Sequence, residues 1–505
     1  MSLARAKAAM IHGVSGLVVT IESFLSQGLP GLTLVGLADT AVGESRDRVR
    51  AAIQNSKLNW PGERRITIGL SPASVHKRGA MLDLGIALSL LAASQQIPQR
   101  LDVVSIGELS LDGKVNEVRG VIVAALAARA EGASVLLVPH NQVAEAQLVP
   151  ELKVIGVSSL IDAVKFFNGE DFDTPVFLPP EFNSPQIPDL ADVRGQPMAR
   201  IALEIAAAGG HHLAMVGSPG VGKSMLAARL PGILPRLDDE LAVTVTGIHS
   251  IAGTLPVGQG LITVPPFLTP HHSATTTSLV GGGSKQAKVG MVTLAHGGVL
   301  CLDEAAEFQR PVLDALRVPL ETGEVVISRA EFTARLPAQF QLVLAANPCP
   351  CGMYVDLGDQ CTCSVVSRRK YFSRLSGPLL DRIDLRVWLN RPTMADFDVS
   401  TELETSDAVA QRVAAARFQA AKRLSGTPWR TYSQVPGPTI RKDFPLSADA
   451  MKCLRLTCGG FSARGIDRVL RLAWTISDLN QSGQPTKADL EQALYFRDGG
   501  GQWKL

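Results

Sequence analysis

Residues 213–229 read Leu213-Ala214-Met215-Val216-Gly217-Ser218-Pro219-Gly220-Val221-Gly222-Lys223-Ser224-Met225-Leu226-Ala227-Ala228-Arg229. The four leading apolar residues predict a buried strand, residues 217–222 a glycine-rich loop, and residues 225–229 a helix. In that context the loop suits phosphate. Its glycines let successive backbone N–H groups curl around phosphate oxygens, and the start of the helix adds partial positive charge. Lys223 neutralises the β- and γ-phosphates, and Ser224 offers a hydroxyl to Mg²⁺. Gly217, Ser218, Pro219, Gly220, Val221, Gly222, Lys223 and Ser224 are the expected nucleotide-binding residues.

Eighty residues after Lys223, the run Val299-Leu300-Cys301-Leu302 ends in Asp303-Glu304. A hydrolytic site needs such a pair of carboxylates at the end of a strand beside its phosphate loop. Asp303 is expected to hold Mg²⁺ through water, and Glu304 to polarise the attacking water as general base. Residues 342–347, Leu342-Val343-Leu344-Ala345-Ala346-Asn347, predict another buried strand. Asn347 at its end either orients the water and senses the γ-phosphate or serves as a turn residue. Together the three segments point to ATP hydrolysis with Mg²⁺.

The rest of the chain fits a folded, multi-domain protein. Its 505 residues suggest about three domains, and 46% hydrophobic with 19% charged residues excludes a largely disordered or collagen-like chain. Net charge is +2, so any nucleic-acid partner must be held by local basic patches. The longest apolar stretches, residues 84–94 and 120–128, fall short of the roughly 18 residues that cross a bilayer. No apolar leader follows Met1, and a cytoplasmic protein is expected. Composition divides the chain into residues 1–168, with β-branched runs alternating with Ala-rich helices, a Pro-rich linker at 169–190, the phosphate-binding core at 191–392, and a helical block at 393–505.

The phosphate loop, residues 298–304, Asn347-Pro348 and Ser376-Gly377-Pro378-Leu379-Leu380-Asp381-Arg382-Ile383-Asp384-Leu385 together resemble the AAA+ ATPases of the magnesium-chelatase/MCM branch. More narrowly they resemble the ComM/YifB family, which also has counterparts to Pro270-His271-His272-Ser273, Gly281-Gly282-Gly283 and Ser462-Ala463-Arg464-Gly465. The resemblance covers nearly the whole chain. It implies an α/β fold: an AAA+ P-loop NTPase core, an N-terminal Lon-like α+β domain (ribosomal S5 domain 2-like) and a C-terminal helical lid. It also implies a homo-hexameric ring with ATP between subunits. Arg382 would then be the arginine finger inserted into the neighbour's site, and Arg464 would match the second sensor on the lid. For each, a surface ion pair is the competing reading.

Residues 105–115 and 131–139 resemble the proteolytic domain of Lon, a fold that in RadA serves DNA. Where a Lon-type protease has its serine this chain has Met81, and where it has its lysine this chain has Ile122. The resemblance therefore implies a scaffold without peptidase chemistry. Lys77 and Arg78 are read either as phosphate contacts or as a solvated turn.

Cys349-Pro350-Cys351 and Cys361-Thr362-Cys363 form two C-x-C pairs. Four thiolates suit a structural Zn²⁺, although the one-residue gap is tighter than usual; reduced thiols or a redox role are the alternatives. Residues 367–374 interleave Arg368, Arg369, Lys370 and Arg374 with Tyr371 and Phe372, a pattern that suits nucleic acid or a ring neighbour equally. Residues 324–329 and 333–336 predict a β-hairpin. In the MCM-like branch such a hairpin points into the channel, so Arg329 and Arg335 are expected DNA contacts, against the reading of ordinary surface arginines. Two functions follow from the resemblance: a DNA translocase or helicase driving branch migration in recombination or natural transformation, and a chelatase-type ATPase subunit remodelling a metal-inserting partner.

Overall fold

The computed structural model describes residues 1–36, 40–77, 79–172, 186–256, 258–283, 288–329, 332–354, 360–397, 403–457, 461–501 and 503. Packing divides the chain into two units, Met1–Asn183 with Asp239–Ile262, and Ser184–Asp238 with Thr263–Leu505. Composition places the divisions elsewhere, for a physical reason. The helix Asp239–Ala252 lies within the stretch expected as ATPase core, yet it packs beside the helix Val121–Ala130 of the first unit. There Ala242, Val245 and Ile248 are buried, and Ser250 hydrogen-bonds Glu145. The helices after residue 403, expected as a separate lid, share one core with the phosphate-loop strand: Val409, Val413, Trp474 and Phe496 cluster with Leu203 and Leu213.

The first unit is a seven-stranded mixed sheet. Its strands are β1 (Ser2–His12), β2 (Ser15–Ser26), β3 (Gly31–Val35), β4 (Arg65–Ser71), β5 (Val103–Ser105), β6 (Val135–Pro139) and β7 (Lys153–Val157), in the order β3-β4-β2-β1-β5-β6-β7. Hairpin β1–β2 pairs from Ser2 opposite Leu25 to His12 opposite Ser15, and β5, β6 and β7 run parallel. Alternation in β1 sets its faces: Ala4, Ala6 and Ala8 are buried while Leu3 and Arg5 are exposed. The helix Asp83–Ala93 is buried at every position except Ala92, which marks it as a central helix covered on all sides.

Met81 and Ile122 are both buried and apolar, 8% and 0% exposed. Lys77 corrects its expectation on both readings. Its side chain is buried, with Nζ bonded to the Pro72 carbonyl, so it is neither a solvated turn residue nor free for phosphate. Burial pulls its pKa down. Arg78 lies outside the described residues.

The second unit is built on a five-stranded parallel sheet. Its strands are β8 (Leu213–Gly217), β9 (Phe267–Leu268), β10 (Val299–Leu302), β13 (Gln341–Ala346) and β14 (Leu385–Leu389), in the order β9-β10-β13-β8-β14. The intervening β11 (Glu324–Arg329) and β12 (Phe332–Pro337) form a separate hairpin. Strands β8, β10 and β13 are buried at every residue, as parallel strands covered on both faces must be. Register fixes the next step. Val216 lies opposite Ala346 and Leu302 opposite Leu344, so the residues following β8, β10 and β13 emerge together at one carboxyl edge. No helix among the described residues is long and apolar enough to cross a membrane.

Candidate active site at the carboxyl edge of the parallel sheet

Open parallel sheets bind ligands outside the carboxyl ends of their strands. In the second unit that edge carries Gly217–Ser224 after β8, Asp303 and Glu304 after β10, and Asn347 after β13. The loop turns through Gly220 (φ 80°) and Gly222 (φ 96°), conformations that a side chain would strain. Helix Lys223–Ala227 begins at once. Lys223 is folded inward and only 8% exposed, with Nζ donating to Gly217 O at 2.6 Å, Ser218 O at 2.9 Å and Asn347 Oδ1 at 3.0 Å. Asn347 thus touches the ammonium, a use its sequence position left open.

Ser224 Oγ donates to Asp303 Oδ2 at 2.6 Å, which places two hard oxygen ligands side by side, the donor type Mg²⁺ takes. Asp303 Oδ1 accepts the backbone N–H of Glu304 at 2.9 Å. Glu304 adopts φ 50°, a left-handed conformation that costs a non-glycine residue roughly 1–3 kcal/mol and concentrates at functional sites. Its carboxylate, exposed to solvent, lies 3.1 Å from His272 Nδ1, and the His271 and His272 rings stack with centroids 4.1 Å apart. Lysine, hydroxyl, two carboxylates and an amide therefore converge from three separate strand ends.

The arginine expected as the finger and the one expected as the second sensor meet at a residue the sequence did not single out. Arg382 donates to Glu321 Oε2 at 2.5 Å and to Pro378 O at 2.8 Å, and Arg464 Nη2 lies 3.6 Å from Glu321 Oε1. The hydrogen bond from Arg382 holds the Glu321 carboxyl below its usual range. Arg464 is 67% exposed, whereas Arg468, on the same helix Ala463–Leu479, is drawn into a buried ion pair with Asp384. Glu321 gave no signal of role in the sequence, being a single acid whose arginine partner lies 61 positions away, and His272, although part of the 270–273 stretch with family counterparts, gave none of its contact with Glu304, 32 positions away.

The four cysteines converge. Sulfur–sulfur distances are 3.3 Å for Cys349–Cys351, 3.8 Å for Cys349–Cys361 and 3.6 Å for Cys351–Cys361, and ligand atoms of all four, Cys363 included, lie within 4.8 Å of one another. The thiols are free. Burial pushes the Cys349 thiol up to about 12, while the backbone N–H of Met353 draws Cys351 down to about 6.

The basic segments are less uniform than their composition. Arg368 lies 3.8 Å over the Tyr354 ring, and Arg374 bonds Glu307 at 3.1 Å and the Ala306 carbonyl at 3.0 Å, so both are anchored within their own unit. Hairpin β11–β12 forms as expected, Glu324 opposite Pro337 through Arg329 opposite Phe332. Arg335 is 74% exposed and paired with Glu324 at 3.3 Å; the side chain of Arg329 lies outside the described residues.

Three family descriptions match in succession: "Subunit ChlI of Mg-chelatase" over residues 21–142, "Magnesium chelatase, subunit ChlI" over 189–397, and "Magnesium chelatase, subunit ChlI C-terminal" over 403–497. Full-length relatives agree. The chain is 46% identical over 504 residues to an uncharacterized protein of Mycobacterium tuberculosis, covering 99% of each. It is 39% identical to YifB of Escherichia coli, covering 98% of this chain and 97% of that protein, and 38% identical to the competence protein ComM of Haemophilus influenzae, covering 98% of each. With the strand-end constellation supplying an ATPase's chemistry and these relatives spanning it end to end, the chain belongs to the ComM/YifB family of magnesium-chelatase-like AAA+ ATPases.

Proposed function

We propose that the protein is an ATP-hydrolysing, ring-forming motor of the cytoplasm that acts on single-stranded or branched DNA, a helicase or translocase promoting branch migration. The observation that carries the ATPase half is the convergence of Lys223, Ser224, Asp303 and Asn347 at one strand edge. Ser224 and Asp303 would hold Mg²⁺, which when bound neutralises charge on the β- and γ-phosphates. Lys223 exchanges its loop carbonyls for phosphate oxygens. Asn347 orients the water and Glu304 accepts its proton, after release from His272. Arg382 of a neighbouring chain stabilises charge on the transferring phosphoryl group, and Arg464 reports its arrival from the lid.

The DNA half is supported by the near full-length likeness to a competence protein and by the β11–β12 hairpin with its exposed Arg335. The first unit resembles a Lon-type scaffold, and apolar Met81 and Ile122 at the positions of nucleophile and base support a role without proteolysis. A chelatase-type role, remodelling a metal-inserting partner, is favoured by one observation, the three ChlI matches. The assay that separates the two is ATPase stimulation and binding by single-stranded and branched DNA at low salt. Stimulation is the expected result, and absence of both effects would transfer the proposal to the chelatase role.

The four-cysteine cluster fits structural zinc. A tetrahedral site with Zn–S bonds of about 2.3 Å sets its sulfurs about 3.8 Å apart, close to the 3.3–3.8 Å found here.

A further inference from the structure

The turn that carries the first two cysteines is joined to the phosphate loop at both of its ends. It begins at Asn347, whose side-chain oxygen accepts from Lys223 Nζ at 3.0 Å. It closes at Gly352, whose N–H donates to the Cys349 carbonyl at 2.9 Å. Gly352 sits at φ 78° so close to the loop that a Cβ placed on it would lie 2.4 Å from Cδ and 2.7 Å from Cγ of Pro219. Only glycine fits there, in conformation and in space. Cys349 and Cys351 lie between these two contacts, and Cys361 and Cys363 complete the sulfur cluster.

We propose that zinc bound by Cys349, Cys351, Cys361 and Cys363 is a clamp on the phosphate loop, pressing Gly352 against Pro219 and holding Asn347 on Lys223, so that nucleotide binding depends on an ion that never meets the nucleotide. The inference rests on the nucleotide-binding and zinc readings above and adds their coupling. Two contacts of this kind do not by themselves fix a turn, and the regular backbone of strand β13 stops at Ala346, just before it. Four metal–sulfur bonds tie it to a second point along the chain, and metal binding of this sort is folding free energy for the segment that supplies the ligands.

The test uses the full-length chain in three forms, with zinc counted per chain by elemental analysis and nucleotide affinity read from a fluorescent ATP analogue. Wild type is expected to hold one zinc per chain. Cys361→Ser/Cys363→Ser, altered outside the 347–352 turn, should lose the metal and weaken nucleotide binding at least about tenfold, the factor that about 1.4 kcal/mol of lost pinning produces. Gly352→Ala should keep the metal and weaken nucleotide binding comparably, which separates the clamp from general unfolding; stripping zinc from wild type with a chelator should reproduce the double variant. Wild-type protein without zinc, or with iron in its place, would overturn the zinc reading and the clamp together. Zinc present in wild type and lost from the double variant, with nucleotide affinity unchanged there, would overturn the clamp alone. Lys223→Ala serves as the control: if it left affinity unchanged, the nucleotide site itself would be misplaced and the clamp would fall with it.

Discussion

The two units bury the same kinds of polar group and use them differently. In the first, Asp83 is fully buried beneath Arg48 and Ser45, with Arg48 Nε 2.7 Å from its carboxylate and the Leu109 N–H at 3.3 Å. Every partner of its carboxylate is internal. In the second, Asp303, Glu304 and Ser224 stand at strand or loop ends with solvent on one side, and Lys223 is satisfied by acceptors that a phosphate can replace. A polar group that the fold has already saturated stabilises structure; one whose partners are exchangeable performs chemistry. By that physical criterion the Asp83 cluster of the first unit is structural, and the strand-end groups of the second make it a candidate enzyme.

The largest effects should fall on the second unit. Arg382→Ala is expected to lower ATP hydrolysis about 10³-fold or more, the size of an arginine-finger contribution, and mixing with Lys223→Ala chains should restore part of it, because each active site then draws its faces from different chains. Steady-state hydrolysis across mixing ratios measures this; no restoration at any ratio would place Arg382 in its own chain's site. Glu304→Gln should stop hydrolysis while nucleotide binding persists. Met81→Ser in the first unit should leave hydrolysis unchanged and yield no peptidase activity, since Ile122 supplies no base.

Next in size is the contrast between the buried carboxylates. Burial alone would raise Asp384, but Arg468 and the imidazoles of His211 and His212 hold it well below the ordinary range. Burial raises Asp83 in spite of Arg48 and Ser45. The signs are therefore opposite. Asp384 contributes stability above its unfolded pKa, and that contribution is lost as pH falls from about 4 through its lower folded value. Asp83, with its folded pKa raised, gains relative stability as pH falls through its folded value. Acid should accordingly loosen the second unit first, seen as earlier loss of hydrogen-exchange protection around Leu385–Leu389 than in the helix Asp83–Ala93; the reverse order would contradict the assignment. Arg468→Ala, which strands a buried charge, should cost about 3–5 kcal/mol in denaturant unfolding.

What the sequence could reveal follows from range. Strands β8, β10 and β13 were legible because each is a continuous apolar run ending in a chemically distinctive residue, and both signals lie within ten positions. That the helix Asp239–Ala252 belongs to the first unit was not legible, because periodicity shows that a face is apolar and not what covers it. Lys77 misled for a similar reason: a lysine beside an arginine and a glycine reads as solvated, and only the fold brings the Pro72 carbonyl to its ammonium. Glu321 depends on partners far along the chain, so nothing local distinguishes it from any other surface residue; His272 lies in a stretch with a family counterpart, but only the fold brings Glu304 to its imidazole.

The smallest effect concerns the hairpin, where the second unit's exposed charge is weighed against its own ion pair. Arg335 is already matched to Glu324, but a pair this exposed is worth at most about 1 kcal/mol, and a phosphate can displace it. If Arg329 and Arg335 meet DNA, each phosphate they neutralise steepens the fall of log K with log salt by roughly 0.7 to 0.9. Arg329→Ala/Arg335→Ala should therefore weaken binding to all sequences alike and flatten that slope, while basal hydrolysis, set by residues at the sheet edge, persists. Glu324→Gln is the complementary probe: it frees Arg335 without adding charge to it, so affinity should rise slightly and the slope steepen. Binding measured across a salt series, with particle mass recorded alongside, distinguishes the outcomes, and an unaltered slope in an intact assembly would remove the hairpin from the DNA-contacting surface.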